Sequence, residues 1–242
     1  MQPYFFPYIG YFQLLAAVDL FILYDNIKYT KKGWINRNRM LRDGKDVTFS
    51  LPLKSASDDL EVRERELAAD FNRRKLLNQF SETYRRAPHF AQAFPLIERI
   101  VQHEETNLYR FLHHSITKTC EYLDIRTEVR SSSGIDIDHN LKSQAKVLAM
   151  CGASGARTYV NTMGGRALYS GPAFAEKGID LRFIQPRSIE YAQFGAPFVP
   201  WLSILDVMMF NPPEAIRNFV GRFDLLAPQD VPVPSLSVAD IS

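Results

Sequence analysis

The 242-residue sequence predicts an α/β protein, a Rossmann-like parallel-sheet layer with a helical insertion. Three observations predict it. GYFQLLAAV (10–18) reads as a short helix and leads through Asp19 into LFILY (20–24), an unbroken apolar run suited to a strand covered on both faces. Residues 70–123 carry helical periodicity. Residues 126–186 alternate strand, helix and strand, which implies a parallel crossover.

The chain opens with MQPYFFPYIGYFQLL. Pro3 and Pro7 fix φ and remove donors, so this is a stiff loop. Gly10 permits close approach at a helix start, where free N–H groups favour anions. Phe5, Phe6 and Phe12 are expected in the core. Tyr8 and Tyr11 carry hydroxyls on stiff rings and are candidate catalytic residues. The apolar strand ends at Asp25-Asn26, a pair of turn formers. Ligands of α/β folds bind beyond the carboxyl ends of strands, so Asp25 is a further candidate, as a base or as an orienting group.

The next segment, KYTKKGWINRNRMLRDGK (28–45), is strongly basic. In an extended chain Asn36 and Asn38 share one face, and Arg37 and Arg39 the other. Arginine forks suit phosphate, Trp34 can stack on a base or a sugar, and asparagine reads hydroxyls. Trp34, Asn36, Arg37, Asn38 and Arg39 are therefore candidate substrate-binding residues. VTFSLPL alternates like a strand and ends at Pro52, and residues 55–66 read as a solvated connection.

Within 70–123, Leu76, Leu77, Phe80 and Tyr84 share a face, as do Phe90, Phe94, Ile97 and Val101. Pro88 and Pro95 are expected to break or start turns. Asn107 caps the best helix, in which Cys120 is a core residue. Beyond it, RTEVRSS is a strand, LKSQAKVLAMCG a helix stopped by Gly152, and RTYVN a strand. GGRALY is a glycine loop opening toward a short helix around AFAEK, and GIDLRFIQ is another strand. Asn161, Gly164, Gly165 and Tyr169 are candidate substrate-binding residues here, because a Gly-Gly turn lets backbone cradle a ligand oxygen. Ser203 caps SILDVMMFN, whose Asp206, amid apolar residues, needs a partner, here expected to be a salt bridge. Pro212-Pro213 start the helix EAIRNFVGRF. Residues 1–226 are expected to form one domain with its insertion at about 70–123, and 227–242 a disordered tail.

A formal net charge of +2 gives no global argument for a polyanionic partner, and no nucleic acid is expected. Cys120 and Cys151 both fall in apolar helical patterns, which argues for reduced thiols. No apolar run approaches the roughly 18 residues that span a bilayer, and no signal peptide is visible, so the expectation is a soluble cytoplasmic protein. Histidines show no zinc spacing; His113 and His114 are neighbours that point about 100° apart on a helix. No metal site is expected from them.

The spacing PYIGY resembles the Pro-His-x-Gly-His signature of Rossmann-like nucleotidyltransferases, with tyrosine at both histidine positions. More specifically, MQPYFFPYIGYFQLL, VDLFILYDNIKY, GWINRNRML, TYVNTMGG with the following LY and GIDLRF, and LSILDVMMFN together resemble the WbqC-like family, over about residues 1–213. That resemblance implies a setting in bacterial O-antigen clusters. It also implies transfer of an acyl or aminoacyl group, glycine in some members, to a nucleotide-linked amino sugar. A non-catalytic sugar-nucleotide-binding subunit, and a nucleotidyltransferase-like enzyme that activates a carboxylate with ATP and Mg²⁺, are the alternatives. Family members usually carry a short apolar strand just before the MQP triplet, whereas this sequence starts inside it. Either a first strand lies upstream, or its absence leaves an open sheet edge.

Overall fold

The structure, a computed structural model, describes residues 1–195 and 197–230. In chain order its elements are α1 (Ile9–Ala16), β1 (Leu20–Leu23), β2 (Arg37–Arg42), β3 (Lys45–Ser50), α2 (Arg73–Tyr84), α3 (Phe90–Gln102), α4 (Leu108–Tyr122) and β4 (Glu128–Ser131). They continue with α5 (Ser143–Ala153), β5 (Thr158–Thr162), α6 (Gly171–Ala175), β6 (Asp180–Pro186), α7 (Ile204–Phe210), α8 (Pro213–Val220) and β7 (Phe223–Leu226). This is a mixed α/β fold with parallel pairing, as the sequence predicts. The chain divides into two units: Met1–Ile135 with Arg187–Arg222, and Asp136–Pro186 with the residues from Phe223 onward. Among the described residues no helix is long and apolar enough to cross a membrane.

In the first unit β1 pairs in parallel with β4, from Leu20↔Glu128 to Leu23↔Ser131. Of the strands expected in 126–186, the first, β4, thus pairs with the distant β1, while β5, α6 and β6 make the expected parallel crossover. On the other side of β1, the Met1 α-amine donates to the Ile22 carbonyl at 2.7 Å, and the Tyr24 N–H donates to the Met1 carbonyl at 2.8 Å. Burial pushes that amine down to about 5. β2 and β3 form a hairpin, in register from Arg37↔Ser50 to Arg42↔Lys45. Its turn is Asp43-Gly44, with φ of 51° and 74°, the conformation that a two-residue loop needs to match strand twist.

The opening loop is packed as expected: Phe5, Phe6 and Phe12 are fully buried. Phe5 meets Phe49 and Phe111 at centroid distances of 5.8 and 5.9 Å, and Phe6 meets Phe80 edge-on. Phe6 has a φ of 42°, so this path is held rather than relaxed. Polar groups hold it. Asn38 Nδ2 donates to the Phe6 carbonyl at 2.9 Å and faces the Phe5 carbonyl at 3.3 Å. Ser203 Oγ donates to the Phe6 carbonyl at 2.7 Å, and the Ile204 N–H to the Pro7 carbonyl at 2.9 Å. Tyr8 folds over Gly10: a Cβ there would lie 2.3 Å from the Tyr8 ring, which would have to swing away.

The helical insertion is α2, α3 and α4. Asn72 and Asn107 accept from the Lys75 and Arg110 N–H groups, capping α2 and α4. α3 runs through Pro95 without a break. The carbonyl deprived of its donor belongs to Ala91, which is solvent-exposed. Phe90 and Phe94 are half-buried and stack on each other at 4.5 Å rather than joining Ile97 and Val101 in the core. Cys120 and Cys151 are buried free thiols, pushed up to about 12 and about 11 by burial.

Ser203 caps α7 as expected, accepting from the Leu205 N–H. Among the described residues Asp206 has no salt bridge. It is fully buried and accepts three neutral donors: Tyr84 Oη at 3.0 Å, Tyr191 Oη at 2.7 Å and Gln193 Nε2 at 2.6 Å. Tyr84 Oη in turn accepts from the Leu41 N–H, so the network joins β2, α2, α7 and the 191–193 segment.

In the second unit β5 and β6 are parallel, Thr158↔Asp180 to Thr162↔Ile184, and β7 adds antiparallel to β6. The helix expected to reach Phe223 stops at Val220, and Phe223 instead opens β7. Gly152 sits inside α5, and the stop comes at Gly155, with a φ of 64°. GGRALY is not an open loop, because Met163–Leu168 wind into a 3₁₀ helix. Of the expected disordered tail, residues 231–242 lie outside the described residues, and the Asp230 N–H closes a turn on Ala227.

Asn38→Ala removes the donor to the Phe5 carbonyl, while Phe6 keeps Ser203 Oγ, and is expected to lower the unfolding free energy by roughly 1–3 kcal/mol in urea titrations. A loss below about 0.5 kcal/mol would show that the loop does not rely on it. Asp206 gives a second test. Burial raises its carboxyl to about 6 from 3.8, outweighing the tyrosine and glutamine donors. Folding therefore favours the protonated form; this contribution is complete below 3.8 and is lost as pH rises through about 6. Relative to Asp206→Asn, the wild type should lose roughly 2 kcal/mol of stability between pH 4 and pH 7. A pH-independent difference contradicts this assignment.

Candidate functional site

The in-register pairing of β1 and β4 brings two strand ends out side by side at Leu23 and Ser131. Asp25 follows one end, and Ser132 and Ser133 follow the other in a short 3₁₀ turn. Asp25 Oδ1 accepts from Ser132 Oγ and from the Ser133 N–H, each at 2.9 Å, and Oδ2 accepts from Ser133 Oγ. The Ser132 hydroxyl also lies 2.6 Å from Asn26 Oδ1. Burial pushes the Asp25 carboxyl up, but the Ser133 hydroxyl and N–H and the Ser132 hydroxyl together outweigh it. The net result lies below the usual carboxylate value. Asp25 is thus a fixed anion.

A cavity of about 570 Å³ opens beside it. α4 supplies one wall: Tyr109, His113 and Thr117 recur at four-residue steps, and Arg110 and His114 follow the first two by one. Ser131 lines the cavity from the end of β4, and Arg63 from the segment beside Asp25, where its N–H donates to the Asp25 carbonyl at 3.0 Å. Tyr109 Oη is hydrogen-bonded to Ser131 Oγ. Burial, then the nearby Asp25 charge, pushes this phenol up to about 12, so it stays protonated. Burial lowers His113, and burial followed by the stacked His103 ring at 3.8 Å lowers His114. The Nε2 of His114 is buried without a partner. At neutral pH the cavity therefore combines a carboxylate, neutral imidazoles, a phenol and two guanidiniums. It can hold an anion at Arg63 and Arg110 and accept a proton at His113.

The other residues singled out in the sequence fall elsewhere. Tyr11 is buried, with its hydroxyl donated to the Gln2 carbonyl at 2.9 Å and its ring packed on Tyr4 and Phe21. It is placed as a core residue. Tyr8 is half-buried beside Trp201. Asn36 accepts from Tyr29 Oη and donates to the Leu51 carbonyl, both at 2.7 Å, and Asn38 holds the opening loop. Arg37 and Arg39 do share the outer face of β2, each 5.6 Å from the Trp34 ring centroid. Arg37 donates to the Gly33 and Lys32 carbonyls, and Arg39 to Asp46 Oδ2 and the Trp201 carbonyl. None of these residues lines the Asp25 cavity.

Asn161, Gly164, Gly165 and Tyr169 belong to the second unit. Asn161 is buried at the end of β5, where it accepts from the Thr162 N–H and donates to Tyr159 Oη. A Cβ at Gly165 would come within 2.8 Å of Asn161 Nδ2, so this glycine makes room for the amide. Gly164 has open space around it. Tyr169 packs edge-on against Tyr159 and Phe174.

Sequence reasoning found Asp25 but missed His113, Tyr109 and Arg63. The signal was present: the apolar stripe of α4 leaves Tyr109, His113 and Thr117 as a separate polar stripe. Nothing local said that this stripe would face the end of β1.

The sequence profile of the WbqC-like protein family matches residues 2–218, from the opening loop into α8. An uncharacterized protein of Mycobacterium tuberculosis, Rv1507c, is 27% identical over 214 residues, which cover 87% of this chain and 91% of that protein. No solved structure matches the chain. Asp25, the opening aromatic loop, the Trp34–Arg39 segment and all of α4 lie inside the profile match, and the chain belongs to the WbqC-like protein family.

Proposed function

We propose that this protein is a transferase that moves an acyl or aminoacyl group, glycyl among them, onto the amine of a nucleotide-linked amino sugar. The observation that carries the reading is the Asp25 cavity, where a fixed carboxylate at two parallel strand ends meets His113, Arg63 and Arg110. Arg63 and Arg110 would bind the phosphates. An amine attacks an acyl carbon only when neutral; neutral His113 would accept its proton while Asp25 orients it. Glycine needs an activated carboxyl, which an adenylate formed from ATP and Mg²⁺ would supply. Assembly of a bacterial surface polysaccharide such as O-antigen, in the cytoplasm, is the setting that the family resemblance suggests.

A second reading is a sugar-nucleotide-binding subunit without catalysis. It is favoured by the hydrogen bonding of Asp25, whose oxygens already accept three hydrogen bonds from the two serines and leave little capacity to take a proton.

Thermal shift against UDP-, GDP- and dTDP-linked amino sugars, with and without ATP and glycine, followed by mass spectrometry for a glycyl adduct, separates the two. The expected outcome is stabilisation by a nucleotide amino sugar and adduct formation. Arg63→Ala should weaken binding by about tenfold or more. Asp25→Asn should reduce turnover by roughly 10²-fold or more while leaving binding in place. The rate should fall as pH drops through the value of His113, which burial sets below the ordinary 6.5. Binding without any adduct selects the second reading, and no response to any nucleotide sugar removes both.

A further inference from the structure

The chain has two tryptophans, Trp34 and Trp201, and both are exposed, 41% and 60%. Indoles are normally among the most deeply packed side chains, so two on the surface call for a cause. Both meet Arg39 within the first unit. Its guanidinium carbon sits 5.6 Å from the Trp34 ring centroid, and its Nη2 donates to the Trp201 carbonyl at 3.1 Å. Tyr8 adds a third ring, edge-on to Trp201 at 5.9 Å. Trp201 holds a φ of 60°, a left-handed conformation unfavourable for a bulky residue and kept here with the indole turned outward.

The charges around these rings indicate what the patch accepts. Arg37 commits Nε and Nη2 to the Gly33 and Lys32 carbonyls. Arg39 commits its two terminal nitrogens to Asp46 and the Trp201 carbonyl. Neither guanidinium presents an open fork to a phosphate, and the Asp46 carboxylate, half-exposed beside Arg39, repels an anion. What remains is exposed indole surface, that of Trp201 above all, and the half-exposed Asp46 carboxylate beside Arg39, which can accept from a hydroxyl. A pyranose ring matches it: one face carries C–H groups that pack on an indole, and its equatorial hydroxyls can donate to the carboxylate.

We propose that the Trp34–Trp201 patch is a binding subsite for the pyranose ring of a neutral saccharide. It shares no lining residue with the Asp25 cavity, and the proposal does not depend on the transfer reaction assigned there.

Because both tryptophans sit in the patch, emission excited at the red edge, where the 11 tyrosines do not absorb, reads this surface. The full chain is titrated with maltotetraose, with chitotetraose and with UMP. The expected result is a saturable emission change with at least one of the two saccharides and none with UMP. By calorimetry, Trp201→Ala should weaken saccharide binding at least about tenfold, and Trp201→Phe should restore most of it. The far-UV circular dichroism spectrum and unfolding temperature of Trp201→Ala should match those of the wild type, which reports that the variant is folded. Flat titrations with both saccharides overturn the proposal, as does a response to UMP alone. Saccharide binding that a folded Trp201→Ala leaves intact also overturns it.

Discussion

Parallel pairing between β1 and β4 closes the chain over more than a hundred residues, and the candidate site exists because of it. The register sets Leu23 opposite Ser131, so Asp25 and the Ser132–Ser133 turn emerge together. Closing so long a loop costs only slightly more entropy than closing a short one, since the cost grows with the logarithm of length. The helical insertion fills the interval, and its last helix returns to the strand ends with Tyr109, His113 and Arg110 turned toward them. A one-residue slip would move Asp25 away from the Ser133 N–H and turn the side chains of β1 to the opposite face.

Two aspartates in the first unit show how the same donor count produces opposite protonation behaviour. Asp206 is fully enclosed and meets only neutral side-chain donors, so burial dominates and its carboxyl rises to about 6. Asp25 lies at the edge of a cavity, and one of its donors is a backbone N–H fixed by the 3₁₀ turn, so hydrogen bonding wins. The first suits a structural joint between β2, α2 and α7. The second suits a site, because a carboxylate that stays ionised has a constant charge to present to a ligand.

The basic, aromatic segment 33–39 shows how tertiary context divides a motif that reads as one unit. Alternation along β2 sends Asn38 inward and Arg37 and Arg39 outward, as an extended chain must. What becomes of each polar group then depends on distant residues: Asn38 on the carbonyls of Phe5 and Phe6, Arg39 on Trp201. The opening loop resolves similarly. Its phenylalanines and Tyr11 are core, and its rigidity lets three carbonyls, those of Phe5, Phe6 and Pro7, serve as acceptors for β2 and α7.

The sequence by itself determined what depends on neighbours in the chain. It marked the apolar stripes of α2 and α4, the caps at Asn107 and Ser203, the buried thiols and phenylalanines, the strand that ends at Asp25, and the family. Only the tertiary structure decided that β4 pairs with β1, that Phe223–Leu226 becomes a strand on β6, and that Asp206 is answered by tyrosines rather than a cation. It also decided that the polar stripe of α4 closes a cavity over Asp25. Periodicity and capping are set within a few residues by backbone geometry, whereas strand partners, burial and proton affinity are set by groups that meet only when the chain has folded.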